Sequence, residues 1–148
     1  MSTRIQGGPF AALVLIVAAT ASAAPPDGAP EWNQKHVTAL AAQLVQVVDE
    51  ALASAKEAPP QATALQQRRR DAALGGYRQV REAAADYLAK LEAGRDRDMT
   101  EAHFRNLRNL FKSTRQSAGD AEPMPEAQQQ LTKIDRLLKQ LGGYYPDA

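Results

Sequence analysis

The run from Ala73 to Leu91, ALGGYRQVREAAADYLAKL, constrains this chain most, because Ala73, Tyr77, Val80, Ala84, Tyr87 and Leu91 recur at spacings of four and three. That period is the seam of an amphipathic helix. Leu74 and Leu88 widen the seam on one side, while Arg78, Arg81, Glu82, Asp86 and Lys90 take the rest of the circumference. Arg78/Glu82 and Asp86/Lys90 stand at the i,i+4 spacing of supporting ion pairs. Such a stripe needs other helices to be buried against, and the remaining sequence supplies three more stripes of similar length.

The first stripe is Val37, Leu40, Leu44, Val47, Val48, Ala51, Leu52 and Ala55. Asn33 is its N-cap, Trp32 is placed to staple onto Val37, and Pro59-Pro60 stops it. The second helix starts at Thr63, with Gln66 in capping-box position, and ends at Gly94. The third is capped by Asp98, with Glu101 in the reciprocal position, turns Phe104, Leu107, Leu110, Phe111 and Thr114 inward, and ends at Gly119. The fourth carries Leu131, Ile134, Leu137, Leu138 and Leu141 before Gly142-Gly143. Short connections make neighbours antiparallel, so the expected fold is all-α, an antiparallel up-down-up-down four-helix bundle over residues 32–146. One irregularity stands out in the second helix: Gln66 to Asp71 contains no apolar residue. Gly75-Gly76 follows at a cost of about 1 kcal/mol per glycine relative to alanine. The segment from Thr63 to Asp71 is therefore expected to overhang the bundle or bend away from it near Gly75-Gly76.

The first residues belong to a different regime. Arg4 precedes an apolar run from Phe10 to Ala19 and then Ala21-Ser22-Ala23, the small-x-small pattern of a signal peptidase site. Residues 1–23 read as a cleaved signal peptide and 24–31, with three prolines and a glycine in APPDGAP, as a flexible lead-in. The apolar run is too short for a span of about 20 residues, so no membrane span is expected after cleavage near Ala23. The expected location is periplasmic or secreted. With no cysteine, the exported chain gains its stability from packing rather than disulfides. Loss of Arg4 leaves 17 basic against 17 acidic side chains, a balance that argues against a nucleic-acid partner.

Three groups of residues are candidates for a site. The first is basic: Arg105, Arg108, Lys112 and Arg115 form a stripe on the third helix about 100° from its apolar one, and Arg68, Arg69 and Arg70 extend the charge from the second. Together they offer a surface for an anionic partner, against the alternative of a solvated face neutralised by Asp49, Glu50 and Glu57. The second group is His36 and His103 with Met99, and with Met124 as a further thioether, the side chains available to a metal or haem. No Cys-x-x-Cys-His occurs, which removes c-type attachment. In an up-down bundle His36, His103 and Met99 fall at the end that also collects the third group, Trp32, Tyr144 and Tyr145, read as an aromatic end-cap. Two histidines, no cysteine and no glycine-rich phosphate loop exclude most nucleophile and nucleotide templates. The expectation is a non-enzymatic exported protein without a resident cofactor that acts by contact with another periplasmic protein or an anionic surface. A metal- or haem-binding bundle is the competing reading.

Overall fold

The computed structural model describes residues 30–57, 63–120 and 125–146, with the side chains of 120 and 125–127 excepted. Residues 1–29, which include the expected signal peptide and most of the expected lead-in, lie outside the described residues, as do Pro59-Pro60 and Met124. Four helices make up the fold: α1 (Gln34–Glu57), α2 (Ala64–Glu92), α3 (Arg97–Asp120) and α4 (Pro125–Gly142). Among the described residues there is no strand, and the fold class is all-α.

The helix ends follow their local chemistry. Asn33 Oδ1 accepts the His36 backbone N–H at 3.0 Å. Thr63 and Gln66 form a complete capping box at the start of α2. At the other end of α2, Gly94 adopts φ 76°, the left-handed conformation that costs glycine least, and the Arg95 N–H returns to the Lys90 carbonyl. The cap of α3 differs from expectation. Asp96, not Asp98, accepts from the backbone N–H three residues on, Met99, at 3.0 Å. Asp98 lies instead in the first turn, where the helix dipole favours its negative charge. Both aspartates carry the same capping preference, and only the path of the loop after Gly94 decides between them.

The core is the meeting of the four stripes. All six seam residues of α2, Ala73, Tyr77, Val80, Ala84, Tyr87 and Leu91, are buried. Val37, Leu40, Leu44, Val48, Ala51 and Leu52 of α1 are buried too, with Ala41, while Val47 and Ala55 stay half-buried at its margin. Phe104, Leu107 and Phe111 enter from α3, and Leu131, Ile134, Leu138 and Leu141 from α4. Removing each such large side chain from water contributes about 1.5–3 kcal/mol. Helix α1 is long and apolar enough to cross a membrane by length and composition, yet its stripe is spent within this core. The closely packed pairs are α1 with α2, α1 with α4 and α2 with α3.

Helix α2 runs without interruption through Gly75-Gly76. Gly76 faces Thr114 of α3 at a distance that leaves no room for a side chain, whereas Gly75 meets nothing within 4 Å. Arg68 and Arg69 are exposed, as their absence from the seam implies. The segment expected to overhang the bundle is tied to α1 by Arg70, whose Nη2 donates to the carbonyls of Ala55 (3.4 Å) and Lys56 (3.2 Å). Those are carbonyls of the last turn of α1, which lack a partner within their own helix. A cap supplied by another helix leaves no trace in apolar periodicity.

Candidate functional site

The basic stripe of α3 divides once it is placed in three dimensions. Arg105 turns to Glu101 one turn earlier, an i,i+4 pair. Arg68 and Arg69 project from the first turns of α2, and Arg70 is committed to the end of α1. Arg108, Lys112 and Arg115 instead line one wall of a groove between α3 and α4, with a volume of about 580 Å³. Lys139 and Asp135 stand on the α4 wall, and Phe111, Leu138, Gly142 and Tyr145 form the floor.

The groove exists because α3 and α4 are not among the closely packed helix pairs. The apolar stripe of α3 is directed at α2 and that of α4 at α1, as the close packing of those pairs requires. The α3 wall carries long cationic side chains and the α4 wall adds Lys139, and closing the helices over them would strip water from more cations than the one carboxylate of the described lining can neutralise. Arg108, Lys112, Arg115 and Lys139 are all exposed, and stems of this length can cover apolar surface while the charged head reaches the rim. At one end Phe104 stacks on Tyr145, ring centroids 4.6 Å apart and planes 16° apart, and the Arg108 guanidinium stands 5.9 Å over the Phe104 ring. At the other end Asp135 joins the walls, accepting from Arg115 Nη1 at 3.4 Å while Lys139 Nζ lies 2.8 Å from its second oxygen.

The charge balance of this groove is unequal. Arg108, Lys112, Arg115 and Lys139 face one acidic side chain, Asp135, among the lining residues described. That carboxylate is already shared by two of the four. Among the described residues Lys112 forms no ion pair. A half-open trough with an apolar floor and a cationic rim is suited to an anionic group attached to an apolar body. Sequence reading found the α3 wall by the spacing of its cations and missed the α4 wall. The Asp135/Lys139 pair at i,i+4 was legible, but nothing local to α4 shows that it faces the α3 stripe.

The aromatic end-cap is also assembled. Trp32 meets Tyr144 edge-on at 6.2 Å and Tyr145 at 5.6 Å, and His36 lies 6.1 Å from the Tyr144 ring. Beneath it runs a chain of hydroxyls that the sequence did not reveal: Tyr87 Oη to Tyr145 Oη at 2.8 Å, Tyr145 Oη to Thr100 Oγ1 at 2.8 Å, and Thr100 Oγ1 donating to the Asp96 carbonyl at 2.7 Å. Burial pushes the phenols of Tyr87 and Tyr145 above their ordinary range. The ring faces fill the core and the polar tips satisfy one another, which is packing rather than chemistry.

The two histidines have different neighbours. His36 is exposed beside Tyr144, whereas His103 is half-buried with Nδ1 2.7 Å from Asp86 Oδ2 of α2. Met99 is exposed, its sulfur 3.6 Å from the Arg95 guanidinium. Among the described residues no three His, Cys, Asp or Glu side chains gather as a metal-binding group. The chain matches no family model, no curated protein and no solved structure.

Proposed function

We propose that the chain is an exported, non-enzymatic protein, folded as an antiparallel up-down-up-down four-helix bundle, that acts by holding an anionic partner in the groove between α3 and α4. The observation that carries this reading is the convergence of Arg108, Lys112, Arg115 and Lys139 on one apolar-floored groove opposite a single carboxylate. Support for the alternating topology comes from contacts between opposite helix ends. Gln34 at the start of α1 donates to the Leu91 carbonyl near the end of α2. Arg70 near the start of α2 meets the end of α1, and Asp86 meets His103 near the start of α3. Export rests on Ala21-Ser22-Ala23 after the apolar run, and N-terminal sequencing of secreted protein is expected to begin at Ala24.

Binding is tested by sedimenting the mature protein with phosphatidylglycerol vesicles and by titrating it with polyglutamate, using phosphatidylcholine vesicles as control. Association with the anionic probes is expected at low salt and is expected to weaken as the Debye length falls from about 30 Å at 0.01 M to about 8 Å at 0.15 M. Lys112→Glu with Arg115→Glu should abolish it, while Arg68→Glu with Arg69→Glu, away from the groove, should leave most of it. No association of the wild type with either anionic probe at low salt would end the reading. Equal loss from both double variants would place the contact outside the groove.

A further inference from the structure

We propose that the α3–α4 groove is a binding site for a single-chain anionic amphiphile, one molecule per chain, with its head group at Lys112 and Arg115 and its hydrocarbon tail along Phe111, Leu138, Gly142 and Tyr145. This deepens the anionic-partner reading and rests on it.

Size decides between occupants. The volume of about 580 Å³ falls within the roughly 300–1,000 Å³ of small-ligand sites. A three-turn helix about 10 Å across occupies more than about 1,200 Å³, so a docked helix would stand mostly outside the groove and bury little of itself. Polarity decides the class. An ion with no apolar body would bind the rim and leave the floor wet. A neutral lipid would bury the floor while gaining nothing from Lys112. An amphiphile with an anionic head matches both, since its tail covers the aromatic and aliphatic floor and its head lies among cations.

Orientation follows from the two ends. At the Gly142 end α4 terminates, its Lys139, Leu141 and Gly142 carbonyls accepting from the N–H groups of Gly143, Tyr144 and Tyr145, and the negative end of the helix dipole there disfavours an anion. The Phe104–Tyr145 stack closes that end with aromatic surface, and the Arg108 guanidinium there lies against the Phe104 ring. At the Asp135 end, Arg115 and Lys139 are held by the carboxylate they share, and Lys112, one turn before Arg115 on α3, lines the same groove. The head group belongs there. From Asp135 to Gly142 the α4 wall is about 10 Å long at 1.5 Å per residue, which suits a tail of medium length.

The fold supplies its own reporter. Trp32 is the one tryptophan of the chain, and its ring meets Tyr145 of the groove floor edge-on at 5.6 Å. A tail seated on Tyr145 changes the surroundings of that indole. Gly142 offers a way to block the tail without touching the charges. It does not adopt a positive φ, and a Cβ there meets only Phe104 at ordinary contact distance, 3.8 Å.

The experiment titrates the mature protein, at low salt and below micelle formation, with dodecanoate, dodecyltrimethylammonium, dodecyl maltoside and acetate. It is followed by calorimetry and Trp32 fluorescence, with circular dichroism confirming the helical fold of each variant. Dodecanoate is expected to bind saturably at one per chain with a change in Trp32 emission, while the other three probes do not. Gly142→Leu should weaken dodecanoate by about tenfold or more while leaving polyglutamate and vesicle binding in place. Arg108→Gln with Lys112→Gln, both exposed, should weaken all anionic probes. Binding of vesicles or polyglutamate without dodecanoate, or dodecanoate binding unchanged by Gly142→Leu, overturns the amphiphile assignment and leaves the anionic-partner reading standing. Unsaturable dodecanoate binding indifferent to the rim variant overturns it as well. Absence of binding to every anionic probe removes both.

Discussion

Gly76 of α2 lies directly against Thr114 of α3: a Cβ built on Gly76 would stand 2.6 Å from Thr114 Oγ1 and 3.1 Å from Thr114 Cβ. Thr114 is buried, and its β-branched side chain is stiff at χ1, so it cannot turn its methyl and hydroxyl both away. The glycine is what allows the two helices to approach this closely. Its neighbour Gly75 meets nothing within 4 Å, so two adjacent residues of the same type in one helix play different parts.

Alanine replacements should therefore have opposite signs. Gly75→Ala is expected to raise stability by about 0.5–1 kcal/mol, the propensity difference in a helix interior. Gly76→Ala gains the same propensity but over-packs the α2–α3 contact at a cost of about 1–3 kcal/mol, and a net loss is expected. Adding Thr114→Ala to Gly76→Ala should recover stability, so a urea double-mutant cycle is expected to show favourable coupling between the two sites. Stabilisation by Gly76→Ala alone would mean that the helices are not held this close.

The hydroxyl chain beneath the aromatic end has a middle and two ends, which ranks its phenylalanine variants. Tyr145→Phe leaves Tyr87 Oη buried without its partner, whereas Thr100 keeps the Asp96 carbonyl. That should cost about 1–3 kcal/mol. Tyr87→Phe leaves Tyr145 bonded to Thr100 and should cost only about 0.5–1.5 kcal/mol. Equal midpoints for the two variants in thermal unfolding would contradict the central place of Tyr145.

Burial raises the phenols of Tyr77, Tyr87 and Tyr145 above the ordinary value of 10.0. In the unfolded chain they ionise near that ordinary value, so the folded state holds more protons once the pH passes it. With more protons bound in the native state, stability falls as pH rises. Their contribution is fully present below about pH 10 and declines above it, by up to about 1.4 kcal/mol per pH unit for each group. Urea midpoints measured at about pH 9 and about pH 11 check this. A midpoint that holds or rises over that interval would rule out a tyrosine origin.

Arg70 closes the last turn of α1 from outside. Arg70→Ala removes its donors from the carbonyls of Ala55 and Lys56 and should cost about 0.5–1.5 kcal/mol. Hydrogen exchange is expected to quicken in the first turns of α2 and the last of α1. Arg68→Ala, at an exposed position, should stay within about 0.5 kcal/mol of the wild type.

The sequence by itself determined the four helices, most of their ends and nearly all of the inward faces, because these depend on interactions within a few residues. Periodicity of 3.6 places Tyr77, Val80, Ala84, Tyr87 and Leu91 on one side whatever they pack against, and Thr63 with Gln66 closes a capping box unaided. Its one misassigned cap, Asp98 for Asp96, arose where two equivalent residues compete and the loop path chooses. Tertiary structure alone decided what depends on contacts between helices: that Gly76 is a close approach to Thr114, that Arg70 serves α1, and that His103 is engaged by Asp86 rather than by His36. It also split a continuous basic stripe into Arg105, spent on Glu101, and Arg108, Lys112 and Arg115, set opposite Lys139 across a groove. A cation's position on its own helix follows from the chain, but which surface it faces depends on how far two helices can close over charges that must stay hydrated. That balance is settled only when α3 has packed on α2 and α4 on α1.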